Sequence, residues 1–235
     1  MHLRVGVVFA NGAGPSWFVC DAECLLAIRF VYFDLGNVLV AFDRDRGTRN
    51  LAERLGVGDA DVNRWLHDED LQVRYETGRV DDAAFCSALR QRCGMTREDV
   101  GDAAILDATS DMFVEIESMR GAIESVRHAG LGVGILSNTC RGHWDWIDRQ
   151  RYPVLQTRRD VDVLSFEVGS MKPDGAIYAA AEDAAWRING ARPDEIAFMD
   201  DRAENIVAAS DRSWHAVTTH GGWDAKAILK TWTHG

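Results

Sequence analysis

Apolar residues along this chain follow two rhythms, one of short unbroken runs and one of helical stripes. Phe30 to Phe33 is an unbroken aromatic and β-branched run, as expected of a strand buried on both faces of a parallel sheet. It stops abruptly at Asp34, and the flexible pair Gly36-Asn37 follows. Between Asp43 and about Phe113 no strand-like run occurs. Leu51 and Leu55 give a helical stripe ended by Gly56 and Gly58, and Asp61 to Leu66 and Leu71 to Thr77 continue the pattern up to Gly78. Asp81 reads as the N-cap of a helix over Ala83 to Arg92, with Gly94 just past its end. Thr96 is expected to open another helix, with apolar positions at Val100, Ile105 and Leu106. Trp65 and Tyr75 read as core residues of this helical stretch, Tyr75 alternatively as a residue facing a substrate.

From Val114 the two rhythms alternate. A helix is expected from about Glu117 to His128, ending at Gly130, then a strand from Gly132 to Leu136 that runs into Ser137-Asn138-Thr139. His143 to Gln150 reads as a helix and Val161 to Phe166 as the next strand. A loop with Met171-Lys172-Pro173 leads into a helix over Ala176 to Arg187. The strand Glu195 to Met199 stops at Asp200-Asp201, Ala203 to Ser210 is helical, and Trp214 to Val217 is a last strand before a short helix near Lys226. Strands alternating with helices imply an α/β fold, a doubly wound parallel sheet with right-handed crossovers. The purely helical stretch 44–113 reads as an inserted cap, and 29–43 with 114–235 as the core. Residues 1–28 follow neither rhythm, with Val5 to Ala10 broken by N-G-A-G-P, and read as an extension outside the fold.

Composition narrows the partners. The 235 residues carry a formal net charge of -11, which argues against nucleic acid or an anionic membrane as the main partner. An anionic substrate would therefore need local positive charge, from a metal or from a few placed Lys and Arg. No apolar run approaches the roughly 20 residues that span a bilayer. Cys20, Cys24, Cys86, Cys93 and Cys140 are odd in number and scattered, as expected of reduced thiols in a cytoplasmic protein.

Four polar clusters fall beside the C-terminal ends of successive expected strands: Asp34-x-Gly36, Ser137-Asn138, Lys172-Pro173, and Asp200-Asp201 with Asn205. In an open parallel sheet these ends converge on one crevice. Acids there can hold a divalent cation, which takes oxygen ligands, while a hydroxyl and a lysine bind phosphate oxygens. Each residue also has a plain structural alternative: Asp34 as a turn cap, Ser137 as a helix cap, Lys172 as a solvated loop residue, and Asp200-Asp201 as acids at a helix N-terminus.

In order and spacing the set resembles the haloacid dehalogenase-like (HAD) hydrolase superfamily, over about Arg29 to the C-terminus. F-D-L-G-N-V-L-V, Y-E-T-G-R-V, L-S-N-T, V-G-S-M-K-P and F-M-D-D-R-A-E-N are similar to the branch that includes bacterial glucose-1-phosphate phosphatases. The resemblance implies a Rossmann-like core with a helical cap and a Mg²⁺-dependent phosphatase of a small phosphorylated metabolite, a sugar phosphate among the candidates. Asp34 would be the nucleophile that forms an aspartyl-phosphate. Asp34, the Gly36 carbonyl and Asp201 would bind the metal, with Asp200 in the same set or just outside it. Ser137 and the Asn138 amide would hold the phosphate, and Lys172 would neutralise charge beside Asp34.

One departure stands out. Most members carry a second Asp two residues after the nucleophile, as general acid and base, where this chain has Gly36. Such a group is worth about 10²–10⁴ in rate. Asp43, Asp45 and His143 are the candidates to replace it, and none is assigned. The alternative function is a catalytically weak, phosphate-binding regulatory protein, and a haloacid dehalogenase ranks lower. An acidic pair at Asp200-Asp201 would repel a carboxylate substrate.

Overall fold

The computed structural model describes residues 28–233; the expected extension, apart from Ile28, lies outside the described residues, as do Cys20 and Cys24. Strand β1 (Phe30–Phe33) is followed by a tight loop and a short strand β2 (Val40–Phe42). Five α-helices come next, α1 (Arg44–Leu55), α2 (Asp59–Asn63), α3 (Leu71–Glu76), α4 (Asp82–Cys93) and α5 (Asp102–Ser110), with a π-helical turn (Arg64–Asp68) after α2. The chain then alternates through β3 (Phe113–Glu115), α6 (Ala122–His128), β4 (Gly132–Ser137), α7 (Arg141–Gln150), β5 (Val161–Leu164), α8 (Ser165–Val168) and α9 (Gly175–Asn189). It closes with β6 (Ile196–Asp200), α10 (Ala203–Ser210), β7 (His215–Thr218) and α11 (Gly222–Thr233).

Five strands form one parallel sheet in the order β5-β4-β1-β6-β7, with β1 at its centre. The period-2 alternation of β1 sends its side chains to two cores. Val31 and Phe33 join Ile123, Val126, Leu229 and Trp232 from α6 and α11. Phe30 and Tyr32 join Tyr178, Ala181 and Ala209 from α9 and α10. Helices therefore cover both faces, which is why the strand reads as continuous apolar sequence rather than as an alternation. Tyr32 is buried with its hydroxyl donating to Ala181 O at 2.8 Å, so the polar atom does not oppose burial. Ile28 belongs to the same core as Val31 and Phe33.

Helices α1 to α5 bury a separate apolar cluster, including Leu51, Leu55, Trp65, Phe85, Leu89 and Ile105. Asp81 caps α4 by accepting from Ala84 N, and Gly94 ends it in the left-handed conformation. Gly56 ends α1 in the same way.

Local structure departs from the sequence pattern in four places. Val40–Phe42 and Phe113–Glu115 pair as an antiparallel two-stranded ribbon at the two ends of the helical stretch, too short to register as strand signals. The helix expected at Thr96 begins only at Asp102, because Asp99 accepts from both the amide and hydroxyl of Thr96 and closes a local turn, and Gly101 is extended. Gly121, at φ 78°, divides the helix expected over Glu117 to His128. The strand expected to reach Phe166 ends at Leu164, because Ser165 Oγ bonds both the amide and carbonyl of Thr139 and turns the chain into α8.

Candidate active site

β1, β4 and β6 are adjacent, and each ends in a polar residue at the same edge: Asp34 just after β1, Ser137 at the end of β4, and Asp200 at the end of β6. Register makes them meet, with Phe33 opposite Ile135 on one side and Met199 on the other. Lys172 reaches this edge from the loop before α9. Its ammonium lies 2.8 Å from Asp34 Oδ1 and 2.7 Å from Asp200 Oδ2, and it donates to Leu136 O at 2.7 Å. The three N–H donors of the lysine are thus all engaged, and its side chain is only 1% exposed.

Each carboxylate has a different environment. Asp34 Oδ1 also accepts from Leu35 N at 2.7 Å. Asp200 is fully buried and accepts from Arg202 N, from Asn205 Nδ2 and from Lys172, so both of its oxygens serve protein donors. Asp201 is half-buried, lines the cavity, and accepts from Asn37 Nδ2 at 2.9 Å. Asn37 sits at φ 55°, a left-handed conformation that Asn tolerates better than most residues. Oxygens of Asp34, Asp200 and Asp201 lie within 4.8 Å of one another. Burial raises the Asp34 carboxyl to about 7, against the pull of Lys172 and with a further push from Asp200. Burial also works against the Lys172 ammonium, but the two carboxylates outweigh it and hold the group above its ordinary value.

The cluster forms one end of a cavity of about 670 Å³. Asp34, Gly36, Ser137, Asn138, Lys172 and Asp201 line it, whereas Asp200 lies behind Lys172 and away from it. Asn138 has a structural task in addition: its side chain donates to Lys172 O at 2.8 Å and accepts from Lys172 N at 2.7 Å. This paired contact ties the loop after β4 to the loop carrying the lysine. The helical stretch also lines the cavity, through residues such as Thr48, Gln72, Val73 and Glu76.

Three residues were candidates for the acid that Gly36 does not supply. Asp43 is exposed and caps α1 by accepting from Arg46 N, and Asp45 is exposed as well; neither lines the cavity. His143 does line it, with its ring edge-on to Phe113, and burial pushes the imidazole down to about 4. It is therefore neutral near pH 7. Beside Gly36, a Cβ would sit 2.9 Å from Cε1 of Phe42, so the ring of Phe42 occupies the direction a side chain would take. Tyr75 is a core residue whose hydroxyl donates to Asp82 Oδ1 and accepts from Gly142 N, which leaves no substrate-facing role for it. Sequence reasoning missed the positioning part of Asn37 and the place of Gln72 and Glu76; only the motif Y-E-T-G-R-V marked the latter region.

No family model matches the chain. D-ribitol-5-phosphate phosphatase from Bacteroides thetaiotaomicron is 24% identical over 209 residues, spanning 86% of this chain and 97% of that protein. A HAD family enzyme from the same organism, crystallised with magnesium and inorganic phosphate, superposes with a TM-score of 0.70 at 24% identity, covering 86% of this chain and 98% of that one. A HAD-like family hydrolase from Porphyromonas gingivalis gives a TM-score of 0.70 at 25% identity, covering 87% and 97%. A doubly wound parallel sheet with acids and a lysine gathered at its carboxyl edge defines the class. The chain shares that fold with these HAD family enzymes, to which it is 24–25% identical.

Proposed function

We propose that the protein is a Mg²⁺-dependent phosphatase of a small phosphorylated metabolite, with Asp34 as its nucleophile. The observation that carries this reading is the buried Lys172 ammonium held between Asp34 and Asp200 at one end of a cavity, with Asp201 beside them. With all three carboxylates ionised, as a bound cation would favour, these four groups carry two uncompensated negative charges on hard oxygen donors, which fits a divalent cation. Asp34, Asp201 and the Gly36 carbonyl would hold it, with Asp200 outside the ligand set because its oxygens already serve Lys172, Arg202 and Asn205. When bound, the cation offsets the charge of the phosphoryl group during transfer.

The residues of the chain do the rest. Lys172 fixes the Asp34 carboxylate, whose oxygen forms a bond to phosphorus as the bond to the leaving alcohol breaks. Ser137 and the Asn138 amide bind phosphoryl oxygens, and water then releases phosphate and restores Asp34. His143, neutral at pH 7, is a poor proton donor, so no residue of this chain is assigned the acid role. Helices α1 to α5 act as a cap that selects the leaving group and limits water. The relative that acts on D-ribitol 5-phosphate supports the same substrate class, and a cytoplasmic location agrees with unpaired Cys86, Cys93 and Cys140.

A second reading, phosphate binding with weak turnover, draws on Phe42 filling the space beside Gly36. One experiment separates the two: an aryl phosphate and a panel of phosphorylated metabolites, each with and without Mg²⁺, using wild type and Asp201→Ala. Turnover that requires Mg²⁺, with about tenfold more metal needed by Asp201→Ala, is the expected result. Turnover indifferent to Mg²⁺ contradicts the metal assignment. Phosphate binding without turnover favours the second reading.

A further inference from the structure

Among the described residues, Glu76 is the one carboxylate of the helical stretch that lines the cavity, and it is well held. Its neighbours in sequence are locked onto the core. Tyr75 accepts from Gly142 N at 2.9 Å at the start of α7 and donates to Asp82 Oδ1 at 2.6 Å. A Cβ on Gly142 would lie 2.6 Å from that hydroxyl. On the other side, a Cβ on Gly78 would lie 2.2 Å from the carbonyl oxygen of Phe166, so backbone packs directly on backbone there. α3 thus ends clamped against the starts of two core helices, α7 and α8, and the Glu76 side chain is aimed by them rather than left to wander.

Gln72, one turn earlier, donates its amide N–H to Glu76 Oε1 at 2.7 Å. Among the described hydrogen bonds, Gln72 is the sole protein donor to Glu76, which leaves its second oxygen, and the Gln72 amide oxygen, to face cavity contents. Burial raises the Glu76 carboxyl, while Gln72 and the guanidinium groups of Arg44 and Arg202 pull it back. An acceptor pair in a confined space suits an occupant that brings hydroxyl donors. It disfavours a second phosphate or a carboxylate at that position, since an ionised anion brings no donor to an acceptor pair, even though Arg44 and Arg202 also line the cavity.

We propose that Gln72 and Glu76 form a hydroxyl-recognition element that selects substrates whose leaving group is a neutral polyhydroxylated alcohol. This inference rests on the phosphatase reading above and specifies its substrate class. The leaving alcohol would lie along the cavity from Asp34 towards α3, with two of its hydroxyls donating to the Glu76 carboxylate and the Gln72 amide oxygen. A hydroxyl bound by a charged acceptor contributes about tenfold to a hundredfold in affinity.

The test compares kcat/KM for an open-chain polyol phosphate and for p-nitrophenyl phosphate, whose leaving group has no aliphatic hydroxyl. Wild type, Glu76→Gln and Gln72→Leu are measured with saturating Mg²⁺, with melting temperatures alongside. The preference for the polyol phosphate should fall at least about tenfold in each variant, chiefly through KM. Using two variants guards against one that folds poorly, because a folding defect lowers both substrates together. A parallel loss on both substrates in a variant that melts like wild type overturns the proposal, as does an unchanged preference. A fall in kcat alone on the polyol phosphate, with a shifted alkaline limb of the pH profile, also overturns it and makes Glu76 a proton donor. Wild type inactive on every phosphate ester would instead remove the phosphatase reading itself, and this proposal with it.

Discussion

The two ends of the cavity are built on different principles. At the sheet edge nearly every charged atom has a short, buried protein partner: Lys172 has three acceptors, Asp200 has three donors, and Asp201 is steadied by Asn37. At the helical end the polar groups are partnered on one side only, as with Glu76 and its single donor Gln72. The first arrangement is rigid and charge-matched, suited to chemistry on a fixed group. The second leaves acceptors for an occupant to satisfy, suited to choosing among leaving groups. Changes at the sheet edge should therefore cost stability and rate together, whereas changes at the helical end should alter preference.

The largest effect is expected for Lys172→Met. Removing the ammonium leaves Asp34 and Asp200 buried together without a counter-charge, and breaking such a pair costs about 3–5 kcal/mol. Urea denaturation should show that loss, and phosphatase turnover should fall to background. A variant as stable as wild type would mean that the two ends do not differ in the way described.

Gly36→Asp comes next and sharpens the account of the missing acid. The new Cβ would meet Phe42 at 2.9 Å, so the ring or the loop must move before the carboxylate can act. Displacements of that size near reacting atoms cost about 10² in rate. Alkyl and aryl phosphates should slow alike. A selective gain on alkyl phosphates would show that Phe42 yields and that the natural protein lacks an acid it could use.

The smallest effect concerns His143. Its imidazole titrates near 4 in the folded protein and near 6.5 when unfolded, so the unfolded state binds more protons between those values. The stability this depressed value contributes is present above the unfolded pKa and is lost as pH falls towards the folded one. Relative to His143→Gln, wild type should lose roughly 2 kcal/mol between pH 7 and pH 5. Urea midpoints of both proteins at the two pH values check this. Parallel pH dependence would mean that His143 is solvated and free to exchange protons with the cavity.

The sheet edge was the more legible of the two regions. Phe30 to Phe33, Gly132 to Leu136 and Glu195 to Met199 are apolar runs that end in polar residues, and a parallel sheet brings such ends together wherever they lie in the chain. The role of Asp200 was less legible, because adjacent aspartates look alike until Asn205 and Lys172 are seen to take up the first. The place of Phe42 beside Gly36 was hidden because it depends on a ribbon of two three-residue strands. Ser165 ended a strand early through a contact with Thr139, 26 positions away. Gln72 carries helical periodicity and nothing more, and Glu76 only its place in Y-E-T-G-R-V; their facing the cavity depends on Tyr75 and Gly78 packing against the core.

The central claim is that Asp34 attacks phosphorus. Asp34→Asn keeps the shape of the side chain and the amide oxygen that can accept from Lys172 and Leu35, while removing the charge needed for attack. Steady-state turnover of p-nitrophenyl phosphate with saturating Mg²⁺, measured on a variant whose melting temperature shows it folded, tests the claim most directly. A loss of at least about 10³-fold, down to background, is expected. Retention of a tenth or more of wild-type turnover would contradict it and place the nucleophile elsewhere.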